Sequence, residues 1–101
     1  MRQVRFSRRA REQLEEISRY LIGRTGDRRV AEALVRGIES RMLKLGTTSS
    51  ILGRPRPELG DGLRSLPHES YLVFFTYAGE RIDMLHVLHA RRDLPAYFKT
   101  R

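Results

Sequence analysis

The stretch Tyr71-Leu72-Val73-Phe74-Phe75-Thr76-Tyr77, Ala78-Gly79-Glu80, Arg81-Ile82-Asp83-Met84-Leu85-His86-Val87-Leu88 decides the fold. Its first run is almost wholly aromatic or β-branched, and its second is apolar with one acid and one His. The short Gly-bearing segment between them completes a hairpin signal. Neither run alternates strictly, so both strands are expected to be central in a sheet covered on at least one face. Leu72, Phe74, Leu85 and Val87 are the candidates for the inward face, with Val73 and Phe75 as the alternates. The cluster Arg91-Arg92-Asp93 that follows reads either as a recognition patch or, through Asp93, as the cap of a short tail turn beginning near Leu94-Pro95.

Working outward, the apolar residues Val4 and Phe6 alternate with polar ones over Arg2 to Phe6, which suits a short edge strand. Ser7 reads as a helix N-cap. Leu14, Ile17 and Leu21 keep the period of an amphipathic helix that Gly23 closes. Asp27 can cap a second helix carrying Val30, Leu34, Ile38, Met42 and Leu45 and ending near Gly46. The link from Gly23 to Gly26 only reverses the chain, so the helices are expected to lie antiparallel with their apolar stripes on the sheet.

Prolines and glycines from Thr47 to Gly62 exclude regular structure and hold Arg54 and Arg56 in a stiff extended segment. Leu63 to Leu66 forms a short strand, and Pro67-His68-Glu69-Ser70 turns it into the main hairpin. The expected fold is therefore a two-layer α+β domain over residues 1–101. It has an N-terminal strand, an antiparallel helix hairpin and a three-stranded antiparallel meander.

At 101 residues and 40% hydrophobic the chain can bury roughly two-thirds of its unfolded surface without staples. It has no Cys, which excludes a disulfide framework and a thiolate metal site. The charged N-terminus does not read as a signal peptide, and no run approaches the ~20 apolar residues of a membrane span. No membrane association and a cytoplasmic location are expected. The 20 cations, all Arg except Lys44 and Lys99, outweigh 12 acids to give a net charge of +8. That balance favours a polyanionic or acidic partner, whether nucleic acid, an acidic protein segment or both, although arginines on solvated faces give the same composition.

Gly53-Arg54, Glu58-Leu59, Gly62-Leu63-Arg64-Ser65, Tyr71 to Phe75 and Val87-Leu88-His89-Ala90-Arg91-Arg92-Asp93 together resemble the ParE branch of the RelE/ParE toxins of bacterial toxin-antitoxin modules. The N-terminal strand, Ser7-Arg8-Arg9-Ala10 and the helix bearing Leu14 and Ile17 extend the resemblance over essentially the whole chain. It implies a growth-inhibiting toxin, of the kind that serves plasmid stabilisation, neutralised by an acidic ParD-like antitoxin. It further implies inhibition of DNA gyrase by protein binding, whereas the RelE branch cleaves messenger RNA on the ribosome.

The two mechanisms ask for different residues. RNA cleavage needs a base, an acid and cations round the phosphate, and Arg stays protonated, so it can only clamp charge. Arg91 and Tyr97 fall where RelE-type nucleases carry an arginine and a tail tyrosine, and Arg64 falls at a basic strand position. Gly62 and Tyr71 replace two further cations, which removes electrostatic stabilisation from such a cleft. A nuclease here would use Arg64, Arg91 and Tyr97 with His89, or His68 in the turn, as base.

His86 and His89, three apart on a strand, point to opposite faces and cannot chelate a metal together. No metal site and no cofactor are expected, and direct nucleic-acid recognition is not, since no known reading module is present. The resulting expectation is a protein-binding toxin rather than an enzyme. Arg54, Arg56 and Arg64 would meet the antitoxin's carboxylates, and Arg91, Arg92 and Tyr97, with the tail from Leu94 to Arg101, would meet the target.

Overall fold

Ser7 and Asp27 start the two long helices, as their side chains suggest. The Ser7 hydroxyl accepts the Ala10 N–H at 3.0 Å and opens α1, Arg8–Thr25. Asp27 accepts the Arg29 N–H at 2.9 Å and opens α2, Arg28–Thr47. Hydrogen bonds from the Arg29 side chain and backbone hold the Asp27 carboxyl below the usual carboxylate range. Gly23 does not end α1, contrary to the expectation. A glycine on an open helix face costs about 1 kcal/mol of propensity without breaking the helix. The stop comes three residues later, at Gly26, whose φ of 70° turns the chain left-handed while its N–H caps the Ile22 carbonyl at 2.8 Å. With so short a connection α1 and α2 pack as a hairpin.

The computed structural model describes residues 1–99. Of the tail from Leu94 to Arg101, Thr100 and Arg101 therefore lie outside the described residues. The strands are β1 (Gln3–Phe6), β2 (Arg54–Pro55), β3 (Arg64–His68), β4 (Tyr71–Ala78) and β5 (Arg81–His89), followed by the short helix α3 (Leu94–Lys99). They form one sheet in the order β1-β5-β4-β3-β2. β1 is an edge strand and runs parallel to β5, with Val4 opposite Ile82; the other pairs are antiparallel. The strand, helix hairpin and meander of the expected α+β domain are all present.

Two segments depart from expectation. Arg54–Pro55, within the stretch expected to lack regular structure, pairs with Arg64 and Ser65. Proline is tolerated there because an edge strand leaves one side of the backbone unpaired. β3 also continues through Pro67 to His68, so the turn is Glu69-Ser70, with Glu69 at φ 53°. His68 is thus a strand residue whose ring lies against α2, and a Cβ on Gly37 would fall 2.8 Å from its Nε2.

The sheet is covered on both faces. Ala10, Leu14, Leu34, Ile38, Met42 and Leu45 of the helix hairpin pack on Tyr71, Val73, Phe75, Ile82, Met84 and Val87. On the opposite face Phe74, Leu88 and Leu63 are buried with Leu72, Leu85 and the α3 residues Leu94, Tyr97 and Phe98. Of the four residues expected to face inward, only Val87 lies under the helix hairpin. Phe74 is fully buried on the other face, and the alternates Val73 and Phe75 take the helix side.

A register shift explains the split. Phe74 opposes His86 while Phe75 opposes Met84, which leaves Leu85 as an extra residue in β5 and interrupts the alternation. At the sheet's edge α2 and β1 meet closely: the Arg2 N–H donates to the Gly46 carbonyl at 2.7 Å, and a Cβ on Gly46 would sit 2.6 Å from the Arg2 carbonyl oxygen.

Candidate functional site

α1 carries a second stripe besides its core face. Arg9, Glu12, Gln13, Glu16, Ile17, Tyr20, Leu21 and Arg24 recur at three- and four-residue intervals and form one wall of a groove of about 900 Å³. At 1.5 Å per residue the wall is roughly 22 Å long. The opposite wall comes from the ends of β4 and β5, with Tyr71, Val87, His89, Arg91, Arg92 and Tyr97, while Val30 and Leu34 of α2 close it at one end. Its lining mixes the apolar Ile17, Leu21, Leu34 and Val87 with Arg9, Arg24, Arg91, Arg92, Glu12, Glu16 and Glu69. None of Arg9, Arg91 and Arg92 forms an ion pair among the described residues. Burial, reinforced by Tyr20 and Glu69, pushes the Tyr71 phenol above its ordinary pKa and keeps it neutral.

Tyr97 sits in a polar cluster that ties three elements together. Gln13 of α1 donates to the Tyr97 hydroxyl at 2.9 Å and accepts the Val87 N–H at 2.7 Å. The same hydroxyl is 3.0 Å from Nδ1 of the buried His86, and the Arg92 guanidinium lies over the Tyr97 ring at 4.8 Å. Asp93 caps α3 through the Ala96 N–H at 3.1 Å, as its position suggested. Tyr97→Phe is expected to lower stability by about 1–3 kcal/mol, because it takes a partner from two part-buried polar side chains. Urea unfolding checks this.

His89 is exposed and packs edge-on against Tyr71 at 5.4 Å. Its Nδ1 accepts the Arg91 N–H at 3.1 Å. A ring nitrogen that accepts a backbone N–H is the unprotonated one, so in the neutral ring the proton sits on Nε2.

The expected site residues separate into two groups. His89, Arg91, Arg92 and Tyr97 line the groove together. Arg64 lies elsewhere: it pairs with Phe75, whereas His89 pairs with Tyr71 four residues away along β4, roughly 13 Å at 3.3 Å per residue. The Arg64 guanidinium donates to the Leu52 carbonyl at 2.8 Å and the Gly53 carbonyl at 3.0 Å. Arg56 is also occupied, with Nε 2.8 Å from the Ser65 hydroxyl, a pairing with Glu58 at 3.8 Å and a side chain only 13% exposed. Arg54 alone of this trio is fully at the surface. Sequence reasoning did not single out Arg9, Gln13, Tyr20 or Arg24. Their three- and four-residue spacing was the available signal.

The comparisons with known proteins agree with this fold. The chain matches the family model of the ParE toxin of type II toxin-antitoxin system, parDE, over residues 4–94. No curated protein sequence matches it. A solved structure of the chromosomal ParDE TA system from P. aeruginosa superposes with a TM-score of 0.71 at 23% identity, covering 88% of this chain and 96% of that one. The chain belongs to the ParE toxin family of type II toxin-antitoxin systems.

Proposed function

We propose that this toxin inhibits DNA gyrase by binding it, without cutting RNA, and that a cognate acidic, ParD-like antitoxin neutralises it. The observation that carries the reading is the state of the groups a nuclease would need. The Tyr97 hydroxyl is engaged by Gln13 and His86, the Arg64 guanidinium holds two carbonyls far from the groove, and His89 spends its lone pair on the Arg91 N–H. A base within reach of a substrate hydroxyl is the first geometric requirement of such catalysis. The groove offers charge and apolar surface instead.

An acidic segment that folds on binding gains from both kinds of lining in the groove, its apolar residues on the apolar side chains and its carboxylates against Arg9, Arg91 and Arg92. Arg54, the exposed member of the trio Arg54, Arg56 and Arg64, takes a further carboxylate. Arg56 and Arg64 shape the surface from which it projects. Arg91, Arg92 and Tyr97 face the target when the groove is empty, so the antitoxin excludes the target by occupying it. Changing Arg9, Arg91 and Arg92 together to Glu should weaken the antitoxin complex by at least tenfold and flatten its salt dependence. Titration at two salt concentrations measures both.

The purified protein should abolish supercoiling of relaxed plasmid by gyrase, or trap cleaved DNA, while translating message stays intact in primer extension. Tyr97→Phe should lower toxicity no further than it lowers the folded fraction. Codon-phased cuts that disappear in His89→Ala would replace this reading with that of a ribosome-dependent endoribonuclease.

A further inference from the structure

The loop from Thr48 to Gly53 leaves α2 and crosses to β2 with five of its backbone groups, at its two ends, held by side chains from elsewhere. Arg2, just before β1, donates to the carbonyls of Thr48 at 3.1 Å and Ser49 at 3.4 Å. Arg64 of β3 donates to those of Leu52 and Gly53. The Tyr77 hydroxyl of β4 accepts the Leu52 N–H at 3.0 Å, and the Arg2 guanidinium lies over the Tyr77 ring at 4.9 Å. Gly53, at φ 91°, brings its backbone so close to the Phe75 ring that a Cβ would lie 2.6 Å from it. Two arginine forks, a tyrosine and a glycine thus hold the two ends of a six-residue surface loop.

What this loop presents is apolar. Ile51 is 50% exposed and Leu52 41% exposed, side by side at its tip. Single exposed apolar residues are ordinary on a protein surface. An adjacent pair on a loop pinned at both ends is a partly preorganised anchor, since less backbone freedom remains to be lost on association. The exposed flanking charge has one sign: between Glu39 and Glu58 the chain has Arg41, Lys44 and Arg54 at the surface and no acid.

We propose that Ile51 and Leu52 form an apolar knob by which the toxin engages its folded protein target, in an apolar socket rimmed by carboxylates. The inference rests on the reading of this chain as a toxin that acts by binding a protein. Shape selects the occupant. A segment that folds on binding has no socket of its own and is served by a groove such as that of α1, whereas an exposed apolar pair on a held loop gains most from a partner that already has a cavity. The single-sign flank selects an acidic rim and speeds encounter with it. The knob is thus a second contact with the target, apart from the groove residues Arg91, Arg92 and Tyr97, that a segment filling only the groove leaves uncovered.

The test is the double variant Ile51→Asp with Leu52→Asp, compared with wild type for melting temperature, antitoxin binding, growth arrest on induction and inhibition of purified gyrase acting on relaxed plasmid. Because both side chains are substantially exposed, the melting temperature and antitoxin binding should stay close to wild type. Growth arrest should be lost and half-inhibition of gyrase should need at least about 30-fold more protein, the loss expected of a buried interface anchor. Arg64→Met keeps the knob but releases two carbonyls. It should speed hydrogen exchange at Leu52 and weaken inhibition several-fold.

A folded double variant as toxic as wild type overturns the knob while leaving the gyrase reading intact. Toxicity retained with antitoxin binding lost also overturns it and reassigns the loop to the antitoxin. If wild-type protein leaves gyrase unaffected, the target reading fails, and growth arrest alone then decides the knob. A double variant that does not fold is replaced by Ile51→Ser with Leu52→Ser, read in the same way.

Discussion

Phe75→Ala and Phe74→Ala are each expected to cost ~3–5 kcal/mol, a large part of the 5–15 kcal/mol available to a domain of this kind. Both side chains have no exposed surface. The two cavities open on opposite sides of the sheet, the first beneath the helix hairpin and the second beneath α3. Only Phe74→Ala removes the edge-on contact with Phe98 at 5.1 Å, so it alone should loosen the tail helix. Faster exchange of the Tyr97 N–H, which bonds the Asp93 carbonyl at 3.0 Å, would report it. Urea unfolding of both variants measures the energies. An unchanged midpoint in Phe74→Ala would mean that the second face does not carry a core.

Gly53→Ala should produce the next largest effect. The new methyl would meet the Phe75 ring at 2.6 Å and the Ser65 carbonyl at 3.3 Å. The ring is fully buried under the helices and cannot yield without disturbing them. Overpacking of this sort costs about 1–3 kcal/mol. A side chain held at φ 91° adds about 1–3 kcal/mol of backbone strain. Because the glycine anchors one end of the clamped loop, the variant should also inhibit the target less well than its folded fraction accounts for. Inhibition assayed well below its melting temperature separates the two effects.

Much of the architecture was legible because it rests on local signals. Ser7 and Asp27 cap through their own oxygens, and the helical and strand periods survive in the finished core. Which face of β4 looks toward the helices was not legible. α3 hides a second apolar face behind only six residues with little period of their own, and in β5 one extra residue at Leu85 puts Leu85 and Val87 on opposite faces. β2 escaped for a similar reason, since its two residues count as a strand only once Arg64 and Ser65 lie beside them.

The arginines show the limit most clearly. Arg54, Arg56 and Arg64 carry the same charge within eleven residues, yet one meets solvent, one a serine hydroxyl and one two carbonyls. Those partners belong to tertiary structure and leave no trace in the spacing of the cations. The groove was half visible. His89, Arg91, Arg92 and Tyr97 were singled out, but its α1 wall consists of residues indistinguishable, in isolation, from an ordinary wet helix face.

The parallel pairing of β1 with β5 also governs when the protein can become harmful during its own synthesis. The partners of residues 3–6 are residues 81–84, made 78 positions later. At 5–20 residues per second the leading strand waits roughly 4–16 s for its mate. Contacts so distant along the chain also form slowly. Until β5 emerges from the ribosome the helix hairpin has no finished sheet to cover, and the wall of the groove formed by Val87, His89 and Arg91 does not exist. On the proposed reading, a nascent toxin of this topology lacks its groove until β5 has emerged, which gives an antitoxin already present in the cell time to meet it as it folds.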